Sequence, residues 1–140
     1  MNNSISVSTM VGGKEITLEA GLLAQQAAGA VTARIGDTIL FSGVTCTDKP
    51  REGIDYFPLQ VEYREKYYAA GRFPGGFFKR ESRPAEKETL TARMTDRPLR
   101  PLFPDGYRND VQINNMLLSA DGDSDSDVLS ILASSASLTL

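Results

Sequence analysis

Two glycine-centred turns in the first third of this 140-residue chain constrain its fold more than any other feature. Gly12-Gly13 follows an alternating apolar–polar segment at 5–9 and precedes a second β-type segment at 16–18, as in a β-hairpin. Gly36-Asp37 divides the stretch 31–44 into two short halves, which is a strong hairpin signal. The sequence therefore predicts strands joined as neighbouring pairs at the start of the fold.

Strand patterns continue on the far side of a charged loop at 49–53. The segment 57–65 has the composition and alternation of a strand. The segment 111–119 is predicted to be a further, buried strand, and its expected buried residues are Ile113, Met116 and Leu117.

A central helix is predicted to begin at Ser82, whose hydroxyl can cap the first turn, and to end at Pro98. Pro84 suits the first turn because the N–H that it lacks has no helical partner there. Leu90 and Met94, four residues apart, are expected to mark the apolar face of this helix.

A second helix of small residues is expected from Val128 onward, capped by Ser126 or Asp127. The Ala-rich segment 21–33 is consistent with either a closely packed strand or a short helix. Because strand patterns come first and helices later, the sequence predicts an α+β fold in which a mixed or antiparallel sheet packs against helices.

Composition narrows the class of protein. A hydrophobic content of 41% is ordinary for a single globular domain. The single cysteine, Cys46, allows no disulfide within the chain and indicates a reducing compartment. Because the chain has no histidine to activate its thiol, Cys46 is expected to be a buried structural residue. The polar segment 1–4 lacks a signal-peptide pattern and no apolar stretch is of membrane-spanning length, so we expect a cytoplasmic protein without a membrane partner.

A run of alternating aspartates at 121–127 resembles the early ligands of a calcium loop. Such a loop needs glycine at its sixth position and glutamate at its twelfth, and this chain has Ser126 and Leu132 there. We therefore predict no metal site in this segment, and assign the aspartates to helix capping and solvated charge. The absence of histidine excludes Ser–His and zinc–histidine sites.

The segment 69–84 combines adjacent aromatic residues with a cluster of cations. Pro74 and the following Gly75-Gly76 permit a sharp turn, after which come Phe77, Phe78, Lys79, Arg80 and Arg83. Aromatic rings that stack on bases, beside cations that follow phosphates, are what binding of a single-stranded nucleic acid requires. The alternative is a hairpin whose phenylalanine pair packs into the core and whose cations are only solvated.

Three arginines extend this basic segment along the chain. Arg93 and Arg97 are four apart and therefore project from one helix face, and Arg100 follows three residues later. Guanidinium groups match phosphate oxygens two at a time, which favours a continuous phosphate track. The alternative is an ordinary helix end, at which the cations interact favourably with the negative end of the helix dipole and pair with Asp96.

Charge is segregated along the sequence. The chain carries a net charge of −3, yet residues 63–100 hold ten Lys/Arg against five Asp/Glu, and the remainder holds five against thirteen. Such segregation is typical of a protein with one face for a polyanion.

These residues resemble the first RNase PH-type core of the bacterial polynucleotide phosphorylase family. The motifs that carry the resemblance are Tyr67 to Arg72, Phe77 to Glu81, Arg83-Pro84, Glu88-Thr89-Leu90, Ala92-Arg93 and Asp96 to Pro104, with Leu18 to Gly21, Gln25-Gln26-Ala27, Gly36-Asp37-Thr38 and Asp55 to Leu59 on the flanks. The resemblance runs from about Gly12 to the last residue. One departure is Lys79, where the family usually has arginine, because lysine keeps the charge but loses the planar fork.

The resemblance implies part of a phosphorolytic 3′-to-5′ exoribonuclease that degrades single-stranded RNA with inorganic phosphate and releases nucleoside diphosphates. Residues 1–11 would be an N-terminal extension or first strand, and 12–140 a partial first RNase PH-type domain that is incomplete at its C-terminus. The family assembles as a ring of three chains, and contact with other RNA-degradation machinery is a further expectation. Magnesium ligands, phosphate-binding serines and the primary catalytic residues are expected in a second core, so no metal ligand is expected here.

Site residues follow from the same resemblance. RNA binding is expected at Phe77, Phe78, Lys79, Arg80 and Arg83, and supporting roles toward the catalytic cleft at Arg93, Arg97 and Arg100. Two alternatives remain open, a non-catalytic RNA-binding ring subunit and a single-core RNase PH-type enzyme that trims transfer RNA. The long basic loop followed by the Arg-Pro-rich segment favours the two-core enzyme.

Overall fold

The computed structural model describes residues 4–76 and 80–140, and these form an α+β fold, as the sequence predicts. The strands are β1 (Ile5–Val11), β2 (Lys14–Ala20), β3 (Gly29–Ile35), β4 (Thr38–Cys46), β5 (Leu59–Glu65) and β6 (Val111–Ser119). The α-helices are α1 (Glu86–Leu99) and α2 (Ser126–Thr139), and short 3₁₀ turns occur at Tyr67–Ala70 and Arg100–Leu102. No helix in the described ranges has the length and apolar character needed to cross a membrane.

All six strands belong to one sheet, in the order β1-β2-β3-β4-β6-β5. Both predicted hairpins are confirmed, and Gly12, Gly13 and Gly36 at their turns have positive φ angles of 57°, 82° and 57°. Every neighbouring pair is antiparallel except β5 and β6, which run parallel. A parallel pair needs a long crossover, and here residues 66–110, including the basic segment and α1, make that connection. The topology thus places the basic segment beside the β5 edge.

The two α-helices lie side by side on one face of the sheet. α1 packs against β5, and α2 packs against β3 and β4. Alternate residues of the strands fill the space beneath them, including Leu40, Ile113 and Leu117. Met116, predicted to be buried, is 37% exposed, because its neighbours at 115 and 117 occupy the helix-facing side and side chains alternate along a strand.

Hydroxyl groups rather than large apolar side chains line much of the helix–sheet interface. Ser134 and Asn115 exchange hydrogen bonds of 2.9 and 3.1 Å, and Ser42 lies 3.0 Å from the Ser137 hydroxyl. Gly29 is required beside them, since a Cβ there would overlap the backbone carbonyl oxygen of Ser137. Small residues therefore let α2 approach the sheet closely, and each buried hydroxyl named here finds a partner.

The helix boundaries correct three predictions. α1 begins at Glu86, with Ala85 as its cap residue, rather than at Ser82. Pro84 explains the delay, because a residue that precedes proline disfavours the helical region and Arg83 is therefore kept out of the helix. The helix also continues through Pro98 to Leu99, since proline loses only one hydrogen bond so close to a helix end. For α2, the cap residue is Asp125, one position before the predicted Ser126.

The predicted apolar face of α1 is wrong. Leu90 and Met94 are 59% and 41% exposed, whereas Glu88, Thr91 and Thr95 are buried. Polar side chains can occupy this face because β5 and α2 supply partners, such as the Ser130 hydroxyl 2.7 Å from that of Thr95.

Two further expectations meet the structure in the first half of the chain. The strand in the Ala-rich segment begins only at Gly29, and no helix forms between 21 and 33. Cys46 ends β4, as the strand pattern predicts, but it is exposed rather than buried. Its sulfur lies 3.0 Å from the Tyr107 hydroxyl, and this hydrogen bond raises the pKa of Tyr107 above its ordinary value. Exposure is confined to the end of the strand, since Thr45 and Cys46 are the two exposed residues of β4.

Candidate nucleic-acid interface

The two ends of the basic loop meet at one residue, Tyr67. Its carbonyl accepts a hydrogen bond of 3.0 Å from the Arg72 N–H, and its own N–H donates a bond of 2.8 Å to Oε1 of Glu81. Lys66 adds a second contact to the far end, because its Nζ lies 2.9 Å from the Glu81 carbonyl oxygen. Gly71, with a φ of 65°, provides the left-handed turn from which the loop leaves.

Three of the predicted RNA-binding residues, Phe77, Phe78 and Lys79, lie outside the described residues. The described part of the loop brings a different aromatic residue to the surface, since Phe73 is 95% exposed. Arg80 and Arg83 are both exposed. The alternative in which the phenylalanine pair packs into the core is therefore untested, and base stacking by this pair remains a prediction.

Five arginines of the segment 72–97 are exposed and make no side-chain hydrogen bond or ion pair with any described residue, and they are Arg72, Arg80, Arg83, Arg93 and Arg97. A guanidinium group carries five N–H donors and a permanent charge. Because these donors are left to solvent, the groups are free to contact an anionic ligand.

Arg100 behaves differently from the other arginines. Its guanidinium pairs with Asp96 through contacts of 3.1 and 2.9 Å, and donates to the carbonyl oxygens of Phe57 and Leu59 at 3.1 and 3.0 Å. It also lies over the Phe57 ring, 5.7 Å from its centroid. These contacts join the end of α1 to the start of β5, which is the structural alternative rather than the phosphate track.

Sequence reasoning did not identify Glu81 and Glu88 as organising residues. Glu88 is buried and its two carboxylate oxygens accept hydrogen bonds from the N–H groups of Glu65 and Ala85, so it joins β5 to the start of α1. The only available signal was the presence of acidic residues inside a segment dominated by cations. The contacts of Glu81 with Tyr67 and of Glu88 with Glu65 join residues that are 14 and 23 positions apart, and they become visible only in the folded chain.

A polar cluster lies where β5 meets the first turns of both helices. The Tyr63 hydroxyl is 2.6 Å from Oε1 of Glu65 and 2.7 Å from the Ser126 hydroxyl, and Lys87 reaches both Glu65 at 3.0 Å and Asp127 at 3.7 Å. Burial raises the pKa of Tyr63 well above its ordinary value.

The other two ionisable groups of this cluster are shifted toward their charged forms. Burial pushes the pKa of Glu65 upward, but hydrogen bonds from Tyr63 and Lys87 more than offset this, so its pKa is lowered. The hydrogen bond to Glu65 raises the pKa of Lys87. Since Tyr63 stays protonated while Glu65 and Lys87 stay charged near neutral pH, the cluster favours a structural role over acid–base catalysis.

The acidic run at 121–127 is organised by its first residue. Asp121 accepts hydrogen bonds from the N–H groups of Asp123 and Ser124 and from the Thr38 hydroxyl. The bond from Asp123 is the main cause that lowers the pKa of Asp121 to about 2. Within the part of the chain that the structure describes, no three Cys, Asp or Glu side chains are placed to share one metal ion.

Curated proteins from several bacteria are similar to the whole chain. It is 54% identical over 140 residues to the polyribonucleotide nucleotidyltransferase of Rhodopseudomonas palustris strain BisB5, an alignment that covers 100% of this chain and 19% of that protein. It is 55% identical over 133 residues to the protein of the same name from Thermomicrobium roseum, covering 95% of this chain and 17% of that protein. The chain thus spans about a fifth of the length of these relatives.

Solved structures share the fold at low sequence identity. The Archaeoglobus fulgidus exosome with RNA bound to the active site contains a chain that superposes with a TM-score of 0.63 at 19% identity, covering 98% of this chain and 50% of the other. An archaeal exosome core superposes with a TM-score of 0.53 at 18% identity, covering 98% of this chain and 47% of the other. The chain therefore shares the fold of these exosome chains.

The family match covers most of the same residues. Positions 12–140 match domain 1 of the 3′ exoribonuclease family, the RNase PH family. This range includes strands β2 to β6, both α-helices and all five exposed arginines. With nine-tenths of its length matched in this way, the chain belongs to the RNase PH family of 3′ exoribonucleases.

Proposed function

We propose that this chain supplies the RNA-holding part of a phosphorolytic 3′-to-5′ exoribonuclease. The observation that carries the proposal is the set of five exposed arginines whose side chains have no acceptor among the described residues, within a domain of the 3′ exoribonuclease family. The names of the relatives at 54% and 55% identity support the same activity.

In the proposed reaction, an oxygen of inorganic phosphate attacks the phosphorus of the last phosphodiester bond of the RNA. The bond from that phosphorus to the 3′ oxygen of the preceding ribose breaks, and a nucleoside 5′-diphosphate leaves. Phosphoryl transfer of this kind needs alignment and charge neutralisation more than a covalent protein group. Guanidinium groups that hold successive phosphates of the chain would provide such alignment.

The roles of individual residues follow from their surroundings. Arg80, Arg83, Arg93 and Arg97 would contact phosphates, with Lys79 as a point charge beside them. Phe77 and Phe78 would stack on bases, which is tolerant of sequence because every base has an aromatic face. Arg100 would support this surface from below, because its donors are already held by Asp96 and two carbonyl groups.

The remaining elements of the proposal concern the whole protein. We propose a ring of three chains around single-stranded RNA, with inorganic phosphate as co-substrate and magnesium bound outside the residues described here. A cytoplasmic location and contact with other RNA-degradation proteins remain predictions.

The activity can be tested with the full-length gene product and an oligoadenylate labelled at its 5′ end. Incubation with inorganic phosphate should shorten the RNA from its 3′ end and release ADP, and sulfate at the same concentration should give no product. Binding without shortening would instead identify a non-catalytic RNA-binding ring subunit. Release of AMP would contradict phosphorolysis. Activity confined to transfer RNA precursors would favour the single-core trimming enzyme.

A further inference from the structure

We propose that Glu81 is a positioning residue that holds the two arms of the basic loop together at the base of the loop. This closure keeps Arg72 and Arg80 in position to contact RNA. This inference rests on the proposed function and adds to it a residue that does not itself contact RNA. Glu81 is the far end of the loop, and the near end is Arg72.

The closure is built from contacts that converge on a single peptide unit. The N–H of Tyr67 donates to the Glu81 carboxylate, and the carbonyl of the same residue accepts from the Arg72 N–H. Lys66 donates to the Glu81 carbonyl oxygen, so Glu81 is held through both its side chain and its backbone. Residues 15 and 14 positions apart in sequence are thereby kept in direct contact.

The near side of this closure is itself anchored in the fold. Ala69 is buried, and its carbonyl accepts a hydrogen bond of 2.9 Å from the N–H of Ala120, just beyond β6. Gly71 then turns the chain outward with its N–H bonded to the Tyr68 carbonyl at 2.9 Å. Glu81 therefore ties the returning arm to a part of the molecule that is fixed relative to the sheet.

Beyond the closure, the described loop residues have few constraints. Phe73, Pro74, Gly75, Gly76 and Arg80 make no hydrogen bond or ion pair with other described residues. Among the described residues, the bonds at Tyr67 and Lys66 are therefore the hydrogen bonds that limit how far the Arg72 and Arg80 arms separate. Holding a binding loop near its bound conformation reduces the entropy lost when the ligand binds.

The negative charge of Glu81 makes the proposal testable, because two explanations predict opposite changes in RNA affinity when the carboxylate is removed. A carboxylate within a basic segment repels RNA, so electrostatics alone predicts that its removal strengthens binding. If the carboxylate acts by closing the loop, its removal weakens binding instead. Glu86 offers a matched control, because it is an exposed acidic residue of the same segment and its side chain makes no hydrogen bond with a described residue.

The experiment compares Glu81→Ala, Glu81→Gln and Glu86→Ala in the full-length gene product, with a labelled oligoadenylate as the probe. We expect Glu81→Ala to bind about fivefold to tenfold more weakly, and Glu86→Ala to bind as tightly as the wild type or more tightly. Glu81→Gln keeps an oxygen acceptor for the Tyr67 N–H and should recover most of the affinity. In the phosphorolysis assay, Glu81→Ala should raise KM for RNA and leave kcat nearly unchanged. Trypsin should cleave the Glu81→Ala variant after Arg72 and Arg80 faster than it cleaves the wild type.

The outcomes separate this inference from the proposed function. A wild-type protein without affinity for RNA would overturn the proposed function and the role of Glu81 with it. A wild type that binds, together with a Glu81→Ala variant that behaves like Glu86→Ala, would overturn only the role of Glu81. Loss of the folded state in Glu81→Ala, seen by melting, would also overturn it, because Glu81 would then be a residue of the fold rather than of the loop.

Discussion

Arg97 and Arg100 are three residues apart, yet their guanidinium groups have opposite surroundings. Arg97 is exposed and its guanidinium has no acceptor in the part of the chain that the structure describes, whereas Arg100 is held by Asp96 and two carbonyl oxygens. A donor that is already bonded loses that bond when it turns toward a phosphate, so the two residues are suited to different tasks.

We expect Arg97→Gln and Arg93→Gln each to flatten the salt dependence of RNA binding by about 0.7 in the log–log slope, because each removes one phosphate contact. Their melting temperatures should stay near that of the wild type. Arg100→Gln should show the reverse, with an unchanged slope and a melting temperature lower by a few degrees, equivalent to about 1 kcal/mol. Oligoadenylate binding at several salt concentrations, beside melting curves, tests all three variants. A lowered slope in Arg100→Gln with unchanged melting would contradict the structural role of Arg100.

Glu65 predicts a dependence of stability on pH. The folded state holds its pKa below the ordinary value of 4.5, so its stabilising contribution is present at neutral pH and is lost as pH falls through the folded pKa. The difference in melting temperature between wild type and Glu65→Gln should therefore be largest near neutral pH and should narrow below about pH 4. Melting curves from pH 7 to pH 3 measure it. A constant difference over that range would contradict the hydrogen-bonded role of this carboxylate.

At the scale of elements, tertiary contacts determine where the basic loop is closed and which face of α1 is buried. The loop leaves and returns at Tyr67, while α1 presents Arg93 and Arg97 to solvent and buries Thr91 and Thr95. Packing of α1 through polar groups is possible because the Thr95 hydroxyl donates to the Thr91 carbonyl oxygen at 2.9 Å and lies 2.7 Å from the Ser130 hydroxyl.

Replacement of Phe77 and Phe78 by alanine should weaken binding of long RNA by a few kcal/mol at most and impair its processive degradation, because stacking contributes about 1–3 kcal/mol per base. Short oligonucleotides should be affected less, since they do not extend through the opening that this loop is proposed to narrow. Degradation rates of RNAs of two lengths measure the difference. Equal losses for both lengths would contradict the threading hypothesis.

Gly29→Ala tests the close approach of α2 to the sheet. The added Cβ would overlap the Ser137 carbonyl oxygen, so either the helix or β3 has to move. We expect a loss of about 1–3 kcal/mol in the free energy of unfolding, as for overpacking elsewhere. Gly75→Ala is a suitable control, because a Cβ there meets nothing within 4 Å. Denaturant unfolding of both variants gives the comparison, and similar stabilities for the two would contradict the packing argument.

At the scale of the whole molecule, the helices cover one face of the sheet and leave part of the other face to solvent. Phe41 and Met116 are direct cross-strand partners on that outer face, and Met116 is 37% exposed. An apolar group of this kind is suited to contacts within an assembly.

The proposed ring predicts that the full-length gene product has a native mass of three chains. Light scattering after size-exclusion chromatography measures this directly, at protein concentrations above and below the working range of the RNA assay. Salt should weaken RNA binding without changing the mass, because phosphate contacts are screened whereas apolar contacts are not. A monomeric protein that still degrades RNA would contradict the ring.

The sequence alone determined those features that depend on neighbouring residues. Gly12, Gly13 and Gly36 set both hairpin turns through their positive φ angles, and β6 has the predicted bounds 111–119. The family was also recognisable, because its motifs are contiguous stretches of chain that can be read without knowledge of the folded structure.

Only the tertiary structure decided which guanidinium groups are held by hydrogen bonds within the described protein and which side chains of α1 are buried. Asp96, Phe57 and Leu59 converge on Arg100, while the side chain of Arg97, in the last turn of α1, has no partner among the described residues. The face of α1 was likewise decided by β5 and α2, which accept its polar residues and leave Leu90 exposed. The physical reason is that the periodicity of a helix or strand fixes the direction in which each side chain points from that element. Whether the side chain is buried, and which groups it bonds to, depends on elements distant in sequence.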